Sequence, residues 1–221
     1  MSARANRTAD DLVASLVGDL RPVRPVRARR TVAAAFLVEV AAVLVAAWML
    51  GAHATGLERV SDPAFAALLG ALAAGAAASA AAMTRLAIPG RAVPAPWRAA
   101  VLALPLVVAA LLALFSPWGG TWKGFFAVVF EGFGCTRTTL LVATPAWLAG
   151  LLFLRRLAPL DPLRVGLFAA CSALLTAALV VQMACANCDS WHMAISHYVP
   201  ILVAAWVGAM LSPLVLGASR R

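Results

Sequence analysis

Long apolar runs separated by short polar or basic breaks dominate the pattern along the chain. Six of them reach the roughly 20 residues a membrane helix needs. They lie at about 31–51, 63–84, 97–116, 138–154, 164–184 and 198–217. Pro105 and Pro145 fall inside the third and fourth runs. Alternation with period two is absent, so no barrel is predicted. The pattern predicts an all-α integral membrane protein, a bundle of six transmembrane helices.

Before the first run, residues 1–30 carry a different pattern. Thr8 suits a helix N-cap, with Asp10 and Asp11 in the first turn. Leu12, Val13, Leu16, Val17 and Leu20 then recur at spacings of three and four, which places them on one helical face. Gly18 weakens this helix by about 1 kcal/mol, and Pro22 stops it. A helix of about 12 residues is marginal alone in water, so its apolar face needs a partner. Two occupants fit: a groove on a cytoplasmic protein, or the plane of the membrane with the arginines on anionic lipid.

Composition sharpens the class. The chain has 221 residues, 63% hydrophobic and only 12% charged. Those values exclude an ordinary soluble domain, a disordered chain and a disulfide-rich miniprotein. The apolar runs leave no length for a soluble catalytic domain, so an enzyme is not expected. The net charge of +9 is spread between the runs, which argues for topology and against direct nucleic-acid binding. Fifteen basic residues fall in the N-terminal tail, in the breaks after the second and fourth runs, and at the C-terminus. Only Arg59, Lys123 and Arg137 fall on the other side. The positive-inside rule therefore predicts that both termini are cytoplasmic, as an even number of spans requires. The expected organisation is a cytoplasmic tail at 1–30, a membrane domain at 31–217 and a short C-terminus at 218–221. The 30 residues ahead of the first run, and that run's length, argue against a cleaved signal peptide.

Candidate chemistry collects on the outer side. The segments at about 52–62, 117–137 and 185–197 hold His53, His192 and His197 together with Cys135, Cys185 and Cys188. Thiolates and imidazoles suit zinc and other soft or borderline metals. In an oxidising compartment the thiols can instead form a disulfide, and three pairings are open. A resident cofactor is not expected; a metal ion held transiently at this face is one alternative, beside a structural disulfide. The aromatic residues of 117–137 predict an interfacial segment lying along the outer leaflet. Cys171 reads as a small buried hydrophobe. Gly70, Ala74, Gly75, Ala78 and Ser79, with Ala169, Ala170 and Ser172, predict close helix packing. Glu39 lies inside the first run, where a carboxylate costs about 2.5–3.5 kcal/mol. It should face the bundle near Gln182, Arg98 or Thr84, either coupling the two faces or serving as a protonated structural residue.

Four features together resemble the NrsF-type membrane anti-sigma factors, negative regulators of extracytoplasmic-function sigma factors. The first is a start of the form Leu-x-x-x-Leu-x-x-x-Leu-Arg-Pro-Val, Leu12 to Val23. The second is six spans. The third is Gly134-Cys135-Thr136-x-Thr138 leading through Pro145 to Leu-Arg-Arg-Leu-Ala-Pro, residues 154–159. The fourth is a helix ending at Cys185, followed by Asp189 and the Trp191/His192 pair. The resemblance implies that Cys135 and Cys185 are the sensing cysteines, responding to thiol-reactive stress such as heavy metals. Cys188 stands outside that pattern. It also implies that the tail, about 8–30, holds the sigma factor, with Leu12, Val13, Leu16, Val17, Leu20, Arg21, Pro22 and Val23 as contact residues. The expected function is a multi-pass anti-sigma factor of the bacterial inner membrane, partnered by an extracytoplasmic-function sigma factor and by lipid. The metal-ligand candidates are Cys135, Cys185, Cys188, His192 and His197. The rival expectations are a membrane thiol-disulfide oxidoreductase, supported by Cys185-Ala-Asn-Cys188, and a small metal or solute transporter.

Overall fold

The computed structural model describes residues 9–18, 28–50, 58–115, 122–157, 159–187 and 189–217. Every element among them is helical. In chain order they are α1 (Ala9–Gly18), α2 (Ala28–Leu50), α3 (Pro63–Ala87), α4 (Ala95–Phe115), α5 (Trp122–Leu154), α6 (Pro162–Ala184) and α7 (Ser190–Leu216). A 3₁₀ turn, Arg155–Leu157, follows α5. Five helices, α3 to α7, are long and apolar enough to cross a membrane. α2 contributes a shorter apolar stretch, Ala33–Ala46.

Asp-Pro pairs start two of the spans. Asp62 accepts from the Ala64 N–H at 2.9 Å, and Asp161 accepts from the Arg164 N–H at 3.0 Å. Pro63 and Pro162 then occupy the first helical turn, where a missing N–H costs nothing.

α6 is the central post. It is apolar on all sides, and it is buried on nearly all sides. α3 packs along it antiparallel, with Gly75 at the close approach: a Cβ there would meet Leu104 Cδ2 at 2.6 Å and Leu175 Cδ1 at 3.3 Å. The small-residue expectation is met at Gly75, whereas Gly70 faces open space. Cys171 is a buried core residue, 2% exposed.

Two core clusters give the bundle two distinct ends. One gathers Ala35, Met83, Ala87, Leu154, Leu157, Val165, Phe168 and Leu216. The other runs from mid-bundle to Ala194, Tyr198 and Ile201. The N-terminal half of α2 and the C-terminal end of α7 therefore share the first end. Cys185, at the far terminus of α6, belongs to the second.

Two expectations from the sequence are corrected here. The aromatic segment does not lie along the leaflet as a separate piece. From Trp122 onward, its described part opens α5, a continuous helix of 33 residues. Nothing between Trp122 and Thr144 breaks a helix, and Gly124, Gly132 and Gly134 only weaken it. Such a helix is about 50 Å long, against a hydrocarbon layer of about 30 Å. The 19 steps from Cys135 to Leu154 rise about 29 Å, so Cys135 lies one membrane thickness from the basic end. The last span likewise starts at Ser190 and not near 198.

Glu39 is buried and faces the bundle, as expected, but with another partner. Its Oε2 accepts from Ser172 Oγ at 2.6 Å, and that hydroxyl also lies 3.3 Å from the Ala76 carbonyl. Gln182 is engaged by Tyr198 Oη at 3.3 Å, and Thr84 by the Ala80 carbonyl.

Of the tail residues, Leu20, Arg21, Pro22 and Val23 lie outside the described residues, as do the side chains of Leu12 and Leu16. Val13 and Val17 are 57% and 59% exposed, which leaves their part of the α1 apolar face unpartnered by the bundle.

Candidate thiol and imidazole site

Three helices deliver four ligand atoms to one point at the second end of the bundle. Cys135 comes from α5, Cys185 from the C-cap of α6, and His192 and His197 from α7. Their sulfur and nitrogen atoms all lie within 4.8 Å of one another. Cys135 Sγ and Cys185 Sγ are 3.5 Å apart, and Cys185 Sγ is 3.4 Å from His192 Nε2. Both cysteines are free thiols. The fifth predicted ligand, Cys188, lies outside the described residues.

Local chemistry aims each group. Asp189 caps α7, its Oδ1 accepting from the Trp191 and His192 N–H groups at 3.0 Å each, which fixes where His192 starts. His192 and His197 are five residues apart. On an ideal α-helix that spacing puts them about 140° apart around the axis. Residues Ala194–Tyr198 instead form a π turn, whose wider winding brings both rings toward one side. The ring centroids are 5.5 Å apart, edge to face.

The π turn is held from α5. Thr136 Oγ1 donates to the Ser196 carbonyl at 2.9 Å. Gly132 makes room for the Ser196 side chain of the π turn, since a Cβ there would collide with Ser196 Oγ and lie 2.7 Å from Ser196 Cβ. Arg59 closes the other side. Its Nη1 donates to the Cys185 carbonyl at 2.7 Å and its Nη2 to the Ala186 carbonyl at 3.3 Å. A guanidinium at the C-terminus of α6 also suits the negative end of that helix.

Electrostatics set the two sulfurs apart. The adjacent Cys135 thiol, first, and His197 beside it hold the Cys185 thiol well below its usual range, against the opposing effect of burial. His197 is 0% exposed, and among the described residues neither of its ring nitrogens has a hydrogen-bond partner. His192 Nδ1 is likewise buried and unpartnered. A buried polar atom left unpaired costs about 1–3 kcal/mol. Such atoms cluster here beside two thiols, which is how a ligand site looks when its donors point inward.

The sequence placed Cys135, Cys185, His192 and His197 in one region. It missed Arg59, Gly132 and Thr136 as their supports. The Gly-Cys-Thr motif carried a signal for Thr136; Arg59 had none, because its contacts span 126 residues of chain.

A family model described as NrsF, negative regulator of sigma F, matches residues 16–217. Comparison with curated proteins and with solved structures gives no match. The matched stretch spans α2 to α7 and includes all four site residues, so the chain belongs to the NrsF family of negative regulators of sigma F.

Proposed function

We propose that the protein is a six-span anti-sigma factor of the bacterial inner membrane, with both termini in the cytoplasm. Its tail, through Leu12, Val13, Leu16, Val17, Leu20 and the Arg21-Pro22-Val23 turn, holds an extracytoplasmic-function sigma factor at the membrane. Thiol-reactive stress outside the cell acts on Cys135 and Cys185 and lowers that hold. The protein acts by binding and not by catalysis.

One observation carries the reading: the thiols and the start of α2 belong to opposite ends of one bundle. Ala35 packs among Leu154, Val165 and Leu216, while Cys185 ends α6 at the other end. α6 touches both, and Ser172 in its middle is bonded to Glu39 of α2. The carboxyl–hydroxyl pair gives a displacement of α6 a direct route to the helix that follows the tail. The required coupling is small, since about 1.4 kcal/mol changes affinity tenfold.

Oxidation supplies one input. Two thiols give two electrons and two protons to hydrogen peroxide; one sulfur–sulfur bond forms and two waters leave. The basic residues Arg85, Arg91, Arg98, Arg155 and Arg164 border α3, α4, α5 and α6 at the Ala35 end, which supports a cytoplasmic assignment for that end.

The test is co-purification. Full-length protein in detergent, with its thiols reduced, is mixed with cytosolic extract of the source cell and recovered. A sigma factor retained by the native chain and lost from the Leu12/Leu16/Leu20→Ser variant supports the reading. Retention of no sigma factor by the native chain refutes it.

A further inference from the structure

We infer that Cys135, Cys185, His192 and His197 form a closed four-ligand site for one soft or borderline divalent cation of the zinc and cadmium class. The inference deepens the proposed function by naming what the outer site binds. The site itself stands on its own geometry; only its effect on the tail rests on that reading.

The distances fit such an ion. A tetrahedral centre with zinc–sulfur bonds of about 2.3 Å and zinc–nitrogen bonds of about 2.0–2.1 Å has sulfur–sulfur edges of about 3.8 Å and sulfur–nitrogen edges of about 3.6 Å. The observed separations are 3.5 Å between the sulfurs and 3.4 Å from Cys185 Sγ to His192 Nε2. All four donors fall within 4.8 Å of one another. The two short edges would open by a few tenths of an ångström to seat the ion.

The charge fits as well. Two thiols lose their protons to solvent as the ion binds, and both imidazoles stay neutral. Two thiolates and a divalent cation then sum to zero. A neutral centre suits a pocket whose histidines are 3% and 0% exposed, where an unbalanced charge is costly. A monovalent or trivalent ion would leave net charge behind. The donor set of two sulfurs and two imidazoles excludes magnesium and calcium, which want oxygen.

His197 is the observation that points to a ligand most directly. It is fully enclosed, both its nitrogens lack hydrogen-bond partners among the described residues, and its ring stands against the thiols. The π turn at Ala194–Tyr198 and the Thr136 bond that holds it serve to aim this ring. One bound ion would tie α5, α6 and α7 together at a single point, with all four positions filled by protein. A closed site of that kind is structural in character and leaves no position for substrate chemistry.

The test uses the reduced full-length protein in detergent, titrated with Co²⁺ alone and then with Zn²⁺. The expected result is one Co²⁺ per chain, with the visible bands of tetrahedral cobalt and a thiolate charge-transfer band, both erased by one Zn²⁺. His192→Gln and His197→Gln each weaken Co²⁺ binding at least tenfold. Cys188→Ser leaves binding unchanged. Native protein that binds no Co²⁺ in these geometry-sensitive bands overturns the site, and that result needs no variant to fold. Full affinity in both histidine variants overturns the four-ligand set, as does loss of binding in Cys188→Ser. Metal binding without sigma-factor retention in the co-purification would refute the regulator reading and leave the site intact.

Discussion

Arg59 gives the sharpest test of how the site is built. Replacing it by Ala removes a charged donor from the Cys185 carbonyl at 2.7 Å and a weaker, exposed one from the Ala186 carbonyl at 3.3 Å. A hydrogen bond to a charged group contributes about 1.5–3 kcal/mol. The longer, solvated contact adds little. The charge at the α6 terminus adds about 0.3–1 kcal/mol. Together they hold the Cys185 segment closed by about 2 kcal/mol after allowance for solvent. That is about a 30-fold change in the open fraction. Cys185 is 9% exposed, so a bulky maleimide reaches it only when the segment opens. The assay is the labelling rate of Cys185 in the reduced, metal-free protein, read by peptide mapping in a Cys188→Ser background. R59A should label about 30-fold faster, and Arg59→Lys should fall between. Cys171, 2% exposed in mid-helix, serves as the internal reference and should not change. An unchanged Cys185 rate in R59A would refute the claim that Arg59 holds the site together.

Other expectations follow from the same contacts. G132A should lower thermal stability by about 1–3 kcal/mol, because its Cβ collides with Ser196 and forces α5 from the π turn; thermal unfolding in detergent reads it. Replacing Cys135 and Cys185 together by Ser should abolish release of the sigma factor under thiol-reactive stress, measured with a reporter gene, and a normal response would sink the switch. E39Q should keep the Ser172 bond and near-native stability. E39A should destabilise by about 1–3 kcal/mol, since it empties space and leaves Ser172 with only the longer Ala76 contact. T136V should cost about 0.5–1.5 kcal/mol and weaken Co²⁺ binding through the displaced π turn.

The five helices long enough to cross a membrane were legible because each is long, apolar and bounded by proline, glycine or arginine, whereas α2 falls short of the span predicted for it. Their limits were less so. The start of α5 misled because aromatic residues suit both an interfacial segment and a helix that continues beyond the membrane, and composition does not separate the two. The start of α7 was hidden for a related reason: Asp189 caps a helix whose first two turns carry Trp191, His192 and His197, which read as a loop. The four donors were named from their chemical types, and the cysteine pair matched a family pattern. Their convergence depends on a π turn and on the room Gly132 leaves for Ser196, neither of which has a spacing signature. Glu39 was legible as an inward-facing acid, but Ser172 was not legible as its partner. A serine in an alanine-rich helix looks like any small packing residue.

The Glu39–Ser172 pair has a consequence for how the chain is made. The two residues are 133 apart in sequence. A ribosome adding about 5–20 residues per second needs roughly 7–27 s to reach Ser172 after Glu39. For that interval α2 holds an acid with no hydroxyl to receive it. Assembly of the bundle thus has a built-in order: α2 gains its buried hydrogen-bond partner only when the central post arrives. Chains truncated before α6 would leave the Glu39 carboxyl without its partner, and α2 exposed to quality-control proteases.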